Sequence, residues 1–381
     1  MVSGKRRLTA CANTCDAECL SVCSSFISIF SYTPCNIYFK GIQQNIPNIF
    51  IPFSTKNGSQ IRNITPLENR EKTIIPNNSQ LILGNDYTLN CRNPKLQDLL
   101  DKKGAIVVGT SPTANISVPQ FYNGVNSTHL QIEKQGSKII ATDLSSTQGT
   151  EIIPKDKIKA FQHGTENLKL AQGEIGDCFV LATLYSLSRT PIGQKMLENM
   201  VQVDDNGNYI VTFNNKKPIT ITPQELDSER KSENKDWACG EMGTKAIERA
   251  HAKSIKTNLL MLNSAQIDKG GRITDALEII TGKKCTKHKL SEENIDTFLN
   301  SITKKGLENQ FLTCSTPHNG NYGKFMNSKS KFITGHAYSI KNIDTKEKTI
   351  EIVNPHNTKK SEVISWDNFK SMFGYVYIAT M

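Results

Sequence analysis

The strongest constraint on this chain is a change in the spacing of its apolar residues near residue 156. Between Gln80 and Ile153, short β-branched and apolar runs (LILGNDYTL, AIVVGT, ISVPQF, HLQIEK, KIIATDL and TEII) alternate with turn-forming clusters. That pattern specifies an all-β unit of the sandwich or barrel kind. Further on, Phe179, Val180, Leu181, Leu184, Tyr185 and Leu187 make a dense helical run, and Met242, Ala246, Ile247 and Ala250 begin another. After Lys331 the spacing returns to strands, in HAYSIKNI, TIEIVN and YVYIAT. Helices first and strands later indicate an α+β domain. The expected organisation is a Cys-rich segment over 1–35, a linker over 36–78, a β-sandwich over 79–155 and the α+β domain over 156–381. A chain of 381 residues is long enough for two cores.

Composition removes several function classes. The net charge of +10 comes from dispersed Lys and Arg without a nucleic-acid fold signature, so a solvated surface is expected and no nucleic-acid partner. No stretch approaches the roughly 18 apolar residues of a membrane span. Ten cysteines, five of them in the first 35 residues, do not make the framework of a small secreted protein, and an intracellular location is expected. Cys11, Cys15, Cys19 and Cys23 recur every four residues and would share one helical face. Flanked by Lys5, Arg6 and Arg7 and by Phe26, Ile27, Ile29 and Phe30, they suit acylation and membrane tethering. A tail with no packed structure suits the same residues, and Asp16 and Glu18 interrupt any export signal.

The sharpest motif is Gln172-Gly173-Glu174-Ile175-Gly176-Asp177-Cys178, a glycine-bearing loop that delivers a cysteine to the first turn of the apolar helix. Unpaired N–H groups at a helix N-terminus favour thiolate over thiol, and Asp177 suits the cap. A lone cysteine at a helix start is otherwise best read as a small buried hydrophobe. His336 and Asn354 shift that balance. They flank the polar stretch 344–348, and a hairpin turning there would put them nearly opposite, about 5–6 Å apart across the pair. An amide oxygen at that range can fix the imidazole tautomer while the other ring nitrogen faces a thiol. Cys178, His336 and Asn354 follow the chain order of a papain-like triad.

The segments QGEIGDCFVLATLYSL, GHAYSI and VNP resemble the nucleophile, histidine and asparagine segments of calpains, and WACGEMGTKAIERAHAK resembles the helix between them. Gly270-Gly271, Ile280-Thr281-Gly282 and SWDNFKSMF add to a resemblance that covers most of 160–381. It implies a papain-like fold, with a helical subdomain bearing the nucleophile and an antiparallel β subdomain, and cysteine endopeptidase activity on protein or peptide substrates. It further implies Gln172 and the backbone N–H of Cys178 as oxyanion donors, and Gly271 and Gly335 as backbone contacts to bound peptide. Phe179 and His356 stand where the family has tryptophan. Acyl transfer on the same triad, or an inactive calpain-shaped docking protein, are the alternatives.

Many calpains bind calcium in the protease core through acidic residues nine positions before the nucleophile and two before the tryptophan of the intervening helix. Here those positions are Lys169 and Lys235, with Asp236 adjacent, and the second site's loop, HNTKKSEV, has Glu362 as its only acid. Ammonium groups repel a divalent cation, so no metal and no cofactor is expected, and control passes to the N-terminal region or a partner. The first β unit resembles the forkhead-associated (FHA) domain at Gly109, His129, Asp143 and Gly149-Thr150. Thr110, Asn126 and Gln148 replace its phosphate-reading Arg, Ser and Asn, which implies a docking module for a protein partner with no phosphothreonine reading. His129 is expected to be a core histidine.

Overall fold

The computed structural model describes residues 65–381 apart from 68, 69, 77, 92, 215, 227–236, 256–266, 268, 269 and 318–331. The N-terminal cysteines and most of the expected linker lie outside those residues. The rest of the expected linker is not a linker. Strands β1 (Thr65–Pro66) and β2 (Lys72–Ile75) pair with later strands, so the β unit begins well before residue 79.

The unit continues with β3 (Gln80–Leu83), β4 (Tyr87–Asn90), helix α1 (Pro94–Lys103), β5 (Ala105–Gly109), β6 (Ile116–Ser117), β7 (Leu130–Gln135), β8 (Lys138–Asp143) and β9 (Thr150–Ile153). Helix α1 was not expected in an all-β segment. Asn93 caps it through its side chain, Pro94 opens it and Gly104 ends it, the usual start and stop chemistry. Two sheets, ordered β1-β9-β3-β4 and β2-β8-β7-β5-β6, enclose one core that includes Leu81, Leu83, Leu96, Val108, Leu130 and Ile152. His129 is fully buried there: Nδ1 accepts from Asn126 N (3.1 Å), so Nε2 donates to the Gly149 carbonyl (3.0 Å). Burial lowers its pKa, as expected for a neutral core histidine.

The second part contains β10 (Leu170–Ala171), α2 (Cys178–Ser188), α3 (Pro191–Met200), β11 (Val201–Val203), β12 (Tyr209–Val211), β13 (Ile219–Ile221), α4 (Pro223–Leu226), β14 (Cys239–Gly240), α5 (Met242–Ser254) and α6 (Ile273–Thr281). It ends with β15 (Cys285–Lys289), α7 (Ile295–Lys304), β16 (Gln310–Ser315), β17 (Ala337–Asp344), β18 (Thr349–Val353), β19 (Ser361–Ser365), α8 (Trp366–Met372) and β20 (Tyr375–Thr380).

Helix α2 is apolar on every side, and every residue from Phe179 to Ser188 is buried, as such a pattern requires. A six-stranded antiparallel sheet, β15-β20-β16-β17-β18-β19, packs beside it. The sheet's period-2 alternation divides the core. Phe311, Ala337, Tyr377 and Ala379 join the helical cluster around α2, while Leu312, Cys314, Tyr338, Ile340, Val376 and Ile378 join a second cluster with α7 and α8. The start of β17 therefore meets the start of α2, and Ser339 Oγ donates to the Ala182 carbonyl (2.6 Å) to lock the two together.

Candidate active site

Cys178 is the first residue of α2, and its thiol lies against the backbone N–H of Ala337, the residue after His336. Burial, the largest influence, pushes the thiol pKa up, and the Ala337 amide only partly opposes it. Desolvation thus outweighs the helix N-terminus, and the thiolate expected from the sequence is not the resting form. Asp177 does not act as the expected cap either, because its side chain makes no bond to the helix N–H groups. It is fully buried beside Glu248 of α5, and burial and that neighbouring carboxyl push its own pKa well up.

His336 precedes β17 and is buried, with its backbone tied on both sides to Thr316: His336 N donates to Thr316 Oγ1 (3.0 Å) and Thr316 N donates to the His336 carbonyl (3.1 Å). Asn354 follows β18, and its Oδ1 lies 2.9 Å from His336 Nε2. His336 and Asn354 are near each other but not directly opposite. The hairpin turns so that Asp344 pairs with Thr349, a register that already carries Asn354 past His336, a bulge between Ile340 and Asn342 shifts it by one residue, and the ladder ends at Ser339 opposite Val353. Continued, that register sets His356 opposite His336, and the two rings stack at 4.9 Å and 7°. Asn354 reaches His336 diagonally.

Backbone chemistry fixes the proton positions. His356 N–H donates to Asn354 Oδ1 (3.0 Å), so the atom facing it must be the amide oxygen. His336 Nε2 is then the protonated nitrogen, and Nδ1 keeps a free lone pair. Burial drives the imidazole pKa down to about 4, the Asn354 bond opposes that shift and His356 adds to it. Tyr338 closes the other side of the ring, edge-on at 4.8 Å, and its hydroxyl accepts from Ile333 N (2.7 Å).

Gln172 N donates to the Pro355 carbonyl (2.7 Å), joining the loop before Cys178 to the loop after Asn354. Its side-chain Nε2 donates to the Ile175 carbonyl (2.6 Å), which uses one of two amide hydrogens and leaves the other available. Thr358, which the sequence did not single out, closes the same seam. Its N donates to the Leu170 carbonyl (3.0 Å), and its hydroxyl reaches the Leu168 carbonyl (2.7 Å) and Leu170 N (2.8 Å). No motif marks such a threonine; only the pairing of 168–172 with 355–358 reveals it.

Gly335 lies one residue before His336, with φ at +63°. Gly271 lies against Phe179, the residue after Cys178: a Cβ there would sit 2.4 Å from Phe179 Cζ. Phe179 is buried and meets the His251 ring edge-on at 5.7 Å, so it has no room to retreat. Gly271→Ala is expected to lower stability by about 1–3 kcal/mol, read as a drop in the urea midpoint, with part of the loss restored in the Gly271→Ala, Phe179→Leu double variant.

No cluster of three or more His, Cys, Asp or Glu suited to a metal occurs among the described residues, and no helix among them is long and apolar enough to cross a membrane. The model of the calpain family cysteine protease matches residues 126–368. Calpain-A of Drosophila melanogaster is 26% identical over 222 residues, covering 55% of this chain. The match spans 24% of that relative's length. With the family model covering well over half of its length, the chain belongs to the calpain family of cysteine proteases.

Proposed function

We propose that the chain is a papain-like cysteine endopeptidase with Cys178 as nucleophile, His336 as base, Asn354 as the residue that orients the base and Gln172 as an oxyanion donor. One observation carries this reading: a cysteine at the start of a buried helix lies against the histidine strand, while that histidine is tautomer-locked by an asparagine oxygen at 2.9 Å. With both thiol and imidazole neutral at rest, Nδ1 of His336 takes the thiol proton as sulfur attacks the scissile carbonyl. The second Gln172 N–H and the Cys178 backbone N–H receive the developing oxyanion. The imidazolium returns its proton to the leaving amine, the C–N bond breaks and a thioester remains. Water, deprotonated by His336, then cleaves the thioester and restores the thiol. Gly335, beside His336, and Gly271, packed on the Phe179 that follows Cys178, supply backbone contacts to the peptide. An epoxide peptide inhibitor is expected to label Cys178 alone among the ten cysteines, as read by peptide mass spectrometry. Unlabelled Cys178 refutes the reading.

Calcium does not fit the donors present. Lys169 is exposed at the position that should offer a carboxylate, and the carbonyls on either side of it, Leu168 and Leu170, already accept from Thr358. Lys235 and Asp236 lie outside the described residues. In the other loop, Glu362 is part of β19, opposite Ile352. The proposed enzyme therefore works without calcium: the peptidase rate in excess chelator is expected to stay within about twofold when millimolar calcium is restored. A many-fold rise refutes calcium independence and leaves the triad standing.

The β unit is read as an FHA-like sandwich whose phosphate-reading arginine is absent. In support, Thr110 stands at that position, and Asn126 is engaged by Thr147 (Nδ2 to Oγ1, 3.2 Å; Oδ1 from Thr147 N, 3.1 Å).

A further inference from the structure

The loops that lead into the nucleophile and out of the asparagine meet at a seam, where Leu168, Leu170 and Gln172 bond to Thr358 and Pro355. The N-terminal β unit touches both sides of it. On the nucleophile side, the Tyr122 hydroxyl accepts from Gly240 N (2.8 Å) and donates to the Gly240 carbonyl (3.3 Å). Gly240 pairs directly with Leu170 in the β10–β14 ladder. Its φ is +143°, and a Cβ would come within 3.0 Å of the Lys169 carbonyl, so a side chain is excluded where the tyrosine docks.

On the asparagine side, Lys359, next to Thr358, reaches into the β unit. Its ammonium bonds to the Phe121 carbonyl, lies 4.0 Å from the Phe121 ring centroid and pairs with Asp86 Oδ2 at 3.3 Å. Asp86 is held by Asn123 N (3.0 Å), and both partners of the ion pair are largely buried. A charge sequestered there is stabilised only with its partner in place. Phe121 and Tyr122 are adjacent in sequence and packed edge-on at 5.4 Å, so one turn of the β unit grips both banks of the seam.

We propose that the β unit is a positioning clamp for the catalytic centre: Tyr122 on Gly240, and Lys359 on Asp86 and Phe121, hold the loop carrying Gln172 against the loop leaving Asn354. Tyr122, Asp86 and Lys359 are positioning residues that touch no reacting atom. The clamp's effect on catalysis rests on the peptidase reading; its effect on the seam does not.

The test uses the full chain, with Tyr122→Phe and Lys359→Met. The first keeps the ring that packs on Tyr87 and Phe121 and removes only the hydroxyl, and the second keeps the apolar stem and removes only the charge. Hydrogen exchange is measured for peptides spanning 168–173 and 354–360. The clamp predicts about tenfold faster exchange at Leu170, Gln172 and Thr358 in either variant, with protection within the β7–β8 ladder unchanged. Lys359→Arg, which keeps the charge over the Phe121 ring, is expected to retain the parent's protection. Parental exchange at the seam in both variants overturns the clamp, as does equal loosening of the β7–β8 ladder, which marks general destabilisation. If the parent cleaves peptide, kcat is expected to fall about tenfold in both variants with KM within about twofold. A parent without peptidase activity overturns the peptidase reading, and the exchange result still decides the clamp.

Discussion

Cys178→Ala and His336→Ala are each expected to lower peptide cleavage by about 10⁴-fold or more, which amounts to abolition in an ordinary assay. Without the sulfur no thioester can form, and without the imidazole a thiol whose pKa is raised by burial has no acceptor for its proton. Asn354→Ala should retain measurable activity, reduced by about 10²-fold, because the imidazole survives and loses only its tautomer lock. The double variant Cys178→Ala, His336→Ala should be no worse than either single, since the two act as one unit. These outcomes are read on a fluorogenic peptide, with matched thermal unfolding to show that each variant is folded. Parental activity in Cys178→Ala sinks the peptidase reading.

The second large effect is on stability in mild acid. His251 and His336 are buried with pKa values lowered to about 4, and His129 and His356 are lowered too, by burial first in each case. An unfolded histidine takes up its proton near pH 6.5, so below that pH the unfolded state binds more protons than the folded one. The stability these groups contribute is therefore complete above about pH 6.5 and is lost as pH falls towards 4, by about 3 kcal/mol each for His251 and His336. Asp177 works the other way. Its raised pKa lets the folded state keep a proton that the unfolded state has released above the ordinary aspartate range, which opposes the histidine effect.

His251→Phe isolates one of those protons. Neither nitrogen of the His251 ring has a hydrogen-bond partner among the described residues, and the ring packs edge-on to Phe179 and Phe213 at 5.7 and 6.3 Å. An apolar ring of similar shape removes the unsatisfied groups, so the variant should be more stable at neutral pH by about 1–3 kcal/mol. Its stability should also depend less steeply on pH, by about 1.4 kcal/mol per unit. Urea unfolding at several pH values reads both quantities, and a slope unchanged from the parent refutes the assignment of a proton to His251.

The helix that begins at Cys178, the change from β to α to β texture and the chain order of cysteine, histidine and asparagine were all legible in the sequence. They are local signals: apolar spacing reports the period of each element, and a glycine-bearing loop before an apolar run reports a helix start. The hairpin turn at 344–348 was legible for the same reason. Strands β1 and β2 were not, because Thr65–Pro66 and Lys72–Ile75 are short edge pieces whose partners lie 64 to 87 residues away. Helix α1 was missed although Asn93, Pro94 and Gly104 are ordinary helix punctuation, since the surrounding strand pattern dominated the reading.

By itself the sequence determined most of the elements that form and the groups that could do acyl chemistry. It could not say that the hairpin register, set at Asp344 opposite Thr349 and shifted by one at a bulge, leaves His336 opposite His356, because period-2 patterning reports the buried face of a strand and is blind to where its turn closes. It could not say that Cys178 and His336 rest neutral or that Asp177 turns inward to Glu248, because desolvation is set by whatever packs over a group from distant parts of the chain. The seam at Thr358 and the grip of Tyr122 and Lys359 on it belong to the same class. Contacts between residues more than a hundred positions apart leave no periodic trace, and only the tertiary structure brings them together.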